Sequence, residues 1–370
     1  MIWELAVGDP ALHAAFLDGC RTAEGESHFV RNSGRFPLCG RGDVNTYTLF
    51  AELDRQLIRE TGQVGIVLPP GIVYDDTTKH FFRDLMDRLS LARFYHFENE
   101  EYLFPAVDHR VVFSLMTLAG PERPQANTDF AFFCRRVEHL NEPDHHFRLT
   151  ADEIRLMNPN TGTCPIFRSK RDAEINKAIY LRVPVLIQEG SPERNPWGIT
   201  FVTMLHMAND SGLFRAWEQL ETDGWTLEGN RFLRGDRTYL PLCEAKMVHH
   251  FGTYEGQTDA QAKQGKLPEL DEAQHSYPHH VSLPWYWVPA EEVERRLEGR
   301  WDRRWLLGWR DICRNTDTRT VLPSLIPKIG TGHTFPLTLF RFDEISMVAC
   351  LYVNLTTFVL DYLARQKIGG

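Results

Sequence analysis

The chain has 370 residues, 42% of them apolar and 25% charged, with a formal net charge of −9. Those values fit two or three domains with real cores and exclude indiscriminate coating of nucleic acid, which needs a broad positive surface. No apolar run approaches the roughly 18 residues of a membrane span, and the N-terminus lacks the basic-then-apolar pattern of a signal peptide. Seven scattered cysteines, never spaced C-x-x-C, argue against a disulfide framework or a zinc ribbon. The expectation is a cytoplasmic protein with free thiols and no membrane contact.

Residues 1–43 read as irregular, punctuated by Gly, Ser and Arg. From 44 to 70 an amphipathic helix carries Leu49, Phe50, Leu53, Leu57 and Ile58 on one face. Gly62 stops it, and a buried strand, Val64 to Leu68, follows. Asp75-Asp76 is placed to cap a helix over about 77–90, with Phe81, Phe82, Leu85, Met86 and Leu89 at helical spacing. Strands follow near Leu91–Phe97 and Arg110–Leu118. Strand–helix–strand order with apolar strands predicts a parallel sheet covered by helices. Composition changes at Gly120-Pro-Glu-Arg-Pro124, which places a domain boundary at 122/123. Beyond it, Asp129–Cys134 is a last strand or linker. Thr150-Ala-Asp-Glu153 is a capping box, and a helix is expected at about 171–180. Strands are expected through 197–207 and around 319–327 and 335–342. A long apolar helix is expected over about 344–366, as a core or inter-subunit element. The stretch 254–282 is a polar, His-rich loop.

Several of these segments resemble an adenine-specific DNA methyltransferase of the large type IIG restriction–modification kind, and the long phage-defence methylases of the BREX and DISARM kind. The helix–Gly–strand unit at 44–70 is similar to the part just after the catalytic loop. Phe97-Glu-Asn99, Leu103-Phe-Pro105 and Arg110-Val-Val-Phe113 are similar to its later strands and their joining loop. Asn195-Pro-Trp-Gly198, Met207–Phe214, Pro241–His250, Arg310–Thr320 and Asp361–Gly370 are similar to its target-recognition region. The resemblance implies a partial Rossmann-like α/β sheet over 1–122 and an irregular α+β target-recognition domain over 123–370. Related chains continue past the final Lys-Ile-Gly-Gly, so the sequence is expected to be short at that end too.

The family's chemistry uses a glycine-rich loop for S-adenosylmethionine and an Asn/Asp-Pro-Pro-Tyr/Phe loop for the flipped adenine. Neither is in this sequence, so no catalytic, cofactor-binding or metal residue is assigned. S-adenosylmethionine is expected only in the complete enzyme. Gly40-Arg-Gly42 is read as a turn, because no strand precedes it. Asn195-Pro-Trp lacks the second proline, and Leu68-Pro-Pro-Gly71 is a strand exit without the amide.

The expected partner is double-stranded DNA. Residues 295–319 hold eight arginines against four acids, with Trp301, Trp305 and Trp309 every fourth residue. That spacing predicts an amphipathic helix, tryptophans on the core and arginines paired with Glu291, Glu294 and Glu298. The DNA-contact candidates are Arg168, Lys170, Arg171, Lys246, Arg303, Arg304, Arg310, Arg314, Arg319 and Lys328. Two other readings stay open. One is a non-catalytic specificity subunit that binds DNA or a protein. The other is a Mg²⁺ nuclease built on Asp236, Glu244 and Lys246. The histidine pairs 145/146, 249/250 and 279/280, with His275, are read as exposed rather than metal-binding. A partial sheet leaves an open edge, expected to be covered by residues 1–43, by a second copy or by a chain that supplies the missing motifs.

Overall fold

The computed structural model describes residues 2–249, 270–314 and 316–368. They divide into two compact units, one ending at Pro192 and the other beginning at Glu193.

The first unit begins with helices, not irregular chain. After α1 (Ile2–Gly8), Asp9 caps the 23-residue α2 (Pro10–Asn32) by accepting from Leu12 N at 3.0 Å, and Pro10 takes the first turn. α2 buries none of its side chains. α3 (Thr46–Leu57) starts at Asn45, whose side chain accepts from Tyr47 N. It ends before Gly62, because Ile58 is extended and turns into the core. Its inner face is not the apolar stripe the spacing predicts. Thr48, Ala51 and Glu52 are buried, while Phe50 is 64% and Leu57 71% exposed. Glu52 explains the rotation: its carboxylate accepts from Leu38 N at 3.1 Å and Cys39 N at 2.8 Å, pinning the preceding loop.

One five-stranded sheet organises this unit. β1 (Gln63–Leu68) leads through α4 (Gly71–Tyr74) and α5 (Lys79–Asp87) to β2 (Leu91–Glu98). β3 (Val112–Ala119), β4 (Thr128–Cys134) and β5 (His146–Leu149) complete the order β1-β3-β2-β4-β5. β1 and β2 are each antiparallel to β3, and β2 is parallel to β4. The expected parallel sheet is thus a mixed one, with β3 reversed between two strands of common direction. Asp75 makes no side-chain cap at α5; Asp76 instead pairs with Lys79 at 2.8 Å.

The boundary expected at 122/123 is overturned. β4 pairs with β2 and β5 with β4, so residues 128–149 extend the same sheet. α6 (Ala151–Met157) and α7 (Lys170–Arg182) pack on it. The core lies on one face, where Ile72, Phe81, Phe82, Leu85, Met116, Phe130, Met157 and Phe167 are almost fully buried. The other face carries a smaller cluster of Phe97, Ala131 and Cys134. β1 is an edge strand, with Val67 60% exposed, and no strand pairs its outer side among the described residues.

The second unit holds two small sheets. β6 (Thr200–Val202), α8 (Trp217–Thr222), β7 (Thr226–Glu228), β8 (Arg231–Arg234) and β9 (Arg237–Cys243) come first. α9 (Glu272–Ser276), β10 (Trp287–Pro289), α10 (Ala290–Leu297), β11 (Trp305–Trp309), β12 (Pro323–Pro327), β13 (Gly330–Thr331) and β14 (Leu337–Leu339) follow. The strand orders are β10-β9-β8-β7, with β13 also on β9, and β12-β11-β14-β6.

The predicted Arg/Trp helix is two elements. α10 ends at Leu297, Gly299 takes φ +67, and the chain re-enters as a strand. A spacing of four is one helical turn, but it is also two pleats of a strand, so Trp305 and Trp309 share a face either way. A side chain at Gly308 would strike Phe335 at 2.4 Å, so this strand needs glycine where the chain crosses it.

The predicted long C-terminal helix is also two: α11 (Ile345–Leu355) and α12 (Phe358–Arg365), bent by 54°. Thr357 caps α12 by accepting from Leu360 N, which competes with helix continuation. The pair is not a core element throughout, since Ile345, Val353 and Phe358 are 72%, 59% and 80% exposed. Among the described residues, no single helix is long and apolar enough to cross a membrane.

Candidate nucleic-acid interface

The expected basic face sorts into side chains that hold the fold and side chains that are available. Arg319 is buried beside Asp361 at 3.6 Å, bonds Thr356 O and lies 4.6 Å from the Phe358 ring centre. Asp361 also accepts from Thr320 N and Val321 N at 2.7 and 2.9 Å. Arg319 therefore ties α12 to the chain ahead of β12 and is withdrawn as a DNA contact, because its charge is spent internally.

Arg303 is packed among Trp301, Trp305 and Phe340, 5.0 to 5.3 Å from their ring centres, and binds Phe342 O and Asp343. It is a structural cation as well. Lys328 pairs with Glu294, and Lys246 with Glu244 at 2.9 Å. Arg310 donates to Ile312 O. Arg304 and Arg314 are exposed, and their side chains make no ion pair among the described residues.

The nuclease grouping does not assemble. Asp236 precedes β9 and Glu244 follows it, so a strand of seven residues separates them by about 25 Å. No group of three or more His, Cys, Asp or Glu suited to a metal occurs among the described residues. His250 lies outside them. Asn195, the near match to the catalytic tetrapeptide, spends its amide on its own loop: Nδ2 donates to Ile199 O and Oδ1 accepts from Ile199 N. Gly40-Arg-Gly42 follows α2 rather than a strand, and Arg31 donates to Gly42 O. Its position does not fit a cofactor loop at a strand end.

In the first unit, Arg168 stacks on Phe133 at 4.0 Å, and Arg171 faces Glu174 at 3.7 Å. Lys170 opens α7 and borders a cavity of about 510 Å³ together with Arg148, His146, Asp129, Glu174 and Lys177. Arg148 was not a candidate from sequence, because β5 brings it to α7 only through the fold.

Behind that wall is a polar network. Tyr95 OH donates to Asp129 Oδ2 at 2.8 Å, and His146 Nδ1 meets the same oxygen at 2.9 Å. His146 Nε2 contacts Leu140 O at 3.0 Å. Burial, followed by the bond to Asp129, pushes the Tyr95 hydroxyl well above its usual range. His96 is buried on β2 and accepts from Phe133 N at 3.1 Å, and burial lowers its pKa to about 4.

The loop between β2 and β3 is gathered around the Asn99 side chain. Asn99 donates to Phe104 O and Val107 O and accepts from Phe104 N, holding Tyr102 and Phe104 53% and 45% exposed. The second unit adds a histidine pair that sequence did not single out. The rings of His206 and His333 stack at 4.5 Å, and His333 Nδ1 accepts from Met207 N.

No protein-family description matches the chain, and no curated protein does. Among solved structures it is similar to the type IIG restriction endonuclease BpuSI, at 11% identity and a TM-score of 0.32 over 85% of this chain. The chain spans 39% of that structure's length.

Proposed function

We propose that this chain is the DNA-recognition portion of a site-specific DNA adenine-N6 methyltransferase of the restriction–modification or phage-defence kind. The complete system would move a methyl group from S-adenosylmethionine to the amino group of a flipped adenine. This chain would contribute duplex recognition and part of the catalytic sheet, and the glycine-rich and Asn-Pro-Pro loops would come from elsewhere.

The observation that carries the reading is in the first unit. The segments that resemble the methyltransferase, 44–70 and 91–118, become neighbouring elements of one sheet whose outer strand is open. Phe50, Leu57 and Val67 stay exposed near that edge, an apolar surface of the sort that partners cover. The loop held by Asn99 leaves Tyr102 53% exposed, a ring able to stack on a base, with Phe104 beside it packed edge-on against Phe113, and Arg304, Arg314, Arg148 and Lys170 make no ion pair among the described residues.

The test has two arms. Titration of the isolated chain with S-adenosylmethionine is expected to give no heat of binding; micromolar one-to-one binding contradicts the division of labour. Mixing with a chain that carries the missing loops is expected to give transfer of labelled methyl to adenine. A mixture that forms a complex yet never methylates supports a non-catalytic specificity subunit instead.

A further inference from the structure

We propose that Arg148 and Lys170 form a second, sequence-independent grip on the DNA phosphate backbone, along the trough between β5 and α7 in the first unit. The inference rests on the DNA-recognition reading and adds a site that the arginine-rich stretch does not contain.

The charge balance of the trough decides its ligand. Among its lining residues, Asp129 is engaged by Tyr95 and His146, at 2.8 and 2.9 Å. Lys177 is engaged by Glu153 at 2.9 Å, and Glu174 faces Arg171 at 3.7 Å. Glu174 therefore has a cationic partner, whereas Asp129 is held by a hydroxyl and an imidazole and keeps one negative charge, opposite Arg148 in the β4–β5 register. Arg148 and Lys170 make no ion pair or side-chain hydrogen bond among the described residues, so two positive charges stand against the one on Asp129 and the balance of the lining is positive. Arg168, next to Lys170 in sequence, is held on the Phe133 ring at 4.0 Å and is not part of that surplus.

The shape decides between a small anion and a polymer. A small anion is usually enclosed by buried donors, whereas Arg148 and Lys170 are both exposed at a cavity of about 510 Å³. Exposed cations on two rigid elements suit a backbone that runs past them. Such contacts fix the position of the duplex and carry no sequence information. The Tyr95–Asp129–His146 network supports the strand side of the trough, because it ties β2, β4 and β5 together across the same face.

The salt dependence of duplex binding by the full chain tests the proposal, with fluorescence anisotropy as the readout. Each phosphate contact contributes about 0.9 to the slope of log K against log salt. Arg148→Ala with Lys170→Ala is expected to make the slope shallower by about 1.8. Glu174→Lys removes an acid and frees Arg171, and is expected to steepen the slope by at least about 0.9. Because it adds charge at an exposed position, it keeps the test usable if the double variant fails to fold. Wild-type binding with an unchanged slope in either folded variant overturns the trough and leaves the DNA reading standing. Absence of duplex binding by the wild type overturns both. A loss of binding to an acidic polypeptide, with duplex binding unchanged, also overturns the trough.

Discussion

The two units use aromatic residues differently. In the first, phenylalanines lie inside regular strands and helices: Phe94, Phe130, Phe132 and Phe147 contact one another at 5.7 to 6.3 Å over one face of a single sheet. In the second, tryptophans and arginines bind short strands and loops together, as when Arg303 lies among Trp301, Trp305 and Phe340. A core made of periodic apolar positions tolerates loss of any one polar contact. A unit held by a few buried ions is expected to fail when one of them goes.

The sharpest break should come at Asp361. Asp361→Ala removes the partner of buried Arg319 and the acceptor for Thr320 N and Val321 N. An uncompensated buried charge costs about 3–5 kcal/mol. Amide exchange is expected to accelerate across residues 305–365 and not across the first unit's sheet. Equal acceleration in both would erase the contrast between them.

Acid should act next, and on the first unit. His96 is neutral in the fold, with a pKa of about 4 against an ordinary 6.5, because burial disfavours its cation. A lowered folded pKa gives stability that is present above 6.5 and lost as pH falls toward 4. The loss is about 3 kcal/mol. Denaturant titrations across that window should show the fall. A His96→Asn variant, which keeps an acceptor for Phe133 N without a titrating ring, should flatten it. An equally steep fall in that variant assigns the acid sensitivity elsewhere.

Asn99 tests the loop it holds. Asn99→Ala strands Phe104 N, Phe104 O and Val107 O, and is expected to cost about 2 kcal/mol while loosening residues 99–111. The smallest effect belongs to the capping box. Thr150 accepts from Glu153 N at 3.2 Å and donates its own N–H to Glu153 at 2.9 Å. Thr150→Ala should cost about 1 kcal/mol, as a modest drop in melting temperature.

What the sequence disclosed follows the same division. α5, β2 and β3 are legible because their apolar periodicity agrees with tertiary packing, although the Asp75-Asp76 cap expected for α5 does not form, and the Thr150 capping box is legible from local chemistry alone. The first 43 residues are not, because α2 buries no side chain, and its apolar residues, Leu12, Phe16, Leu17 and Phe29, are interrupted by small and polar ones and stay exposed. Its only clear signals are the Asp9 cap and Pro10 at the first turn. The tryptophan spacing of four misleads because it satisfies a helix and a strand alike. Of the basic candidates, Arg171 is engaged locally by Glu174, while Arg168, Arg319 and Lys328 are held by Phe133, Asp361 and Glu294, each more than 30 residues away. No linear reading shows such pairings. Arg148 was hidden for the converse reason: it is isolated in sequence and reaches Lys170's trough only through the β4–β5 pairing.

Whether this chain recognises DNA is read out by selecting duplexes from a randomised pool with the full chain. Enrichment of one short sequence is expected, carried mainly by base contacts and therefore persisting in the Arg148→Ala/Lys170→Ala variant at reduced overall affinity. A pool that emerges unenriched, or no retained duplex at all, contradicts a DNA-recognition role for this chain.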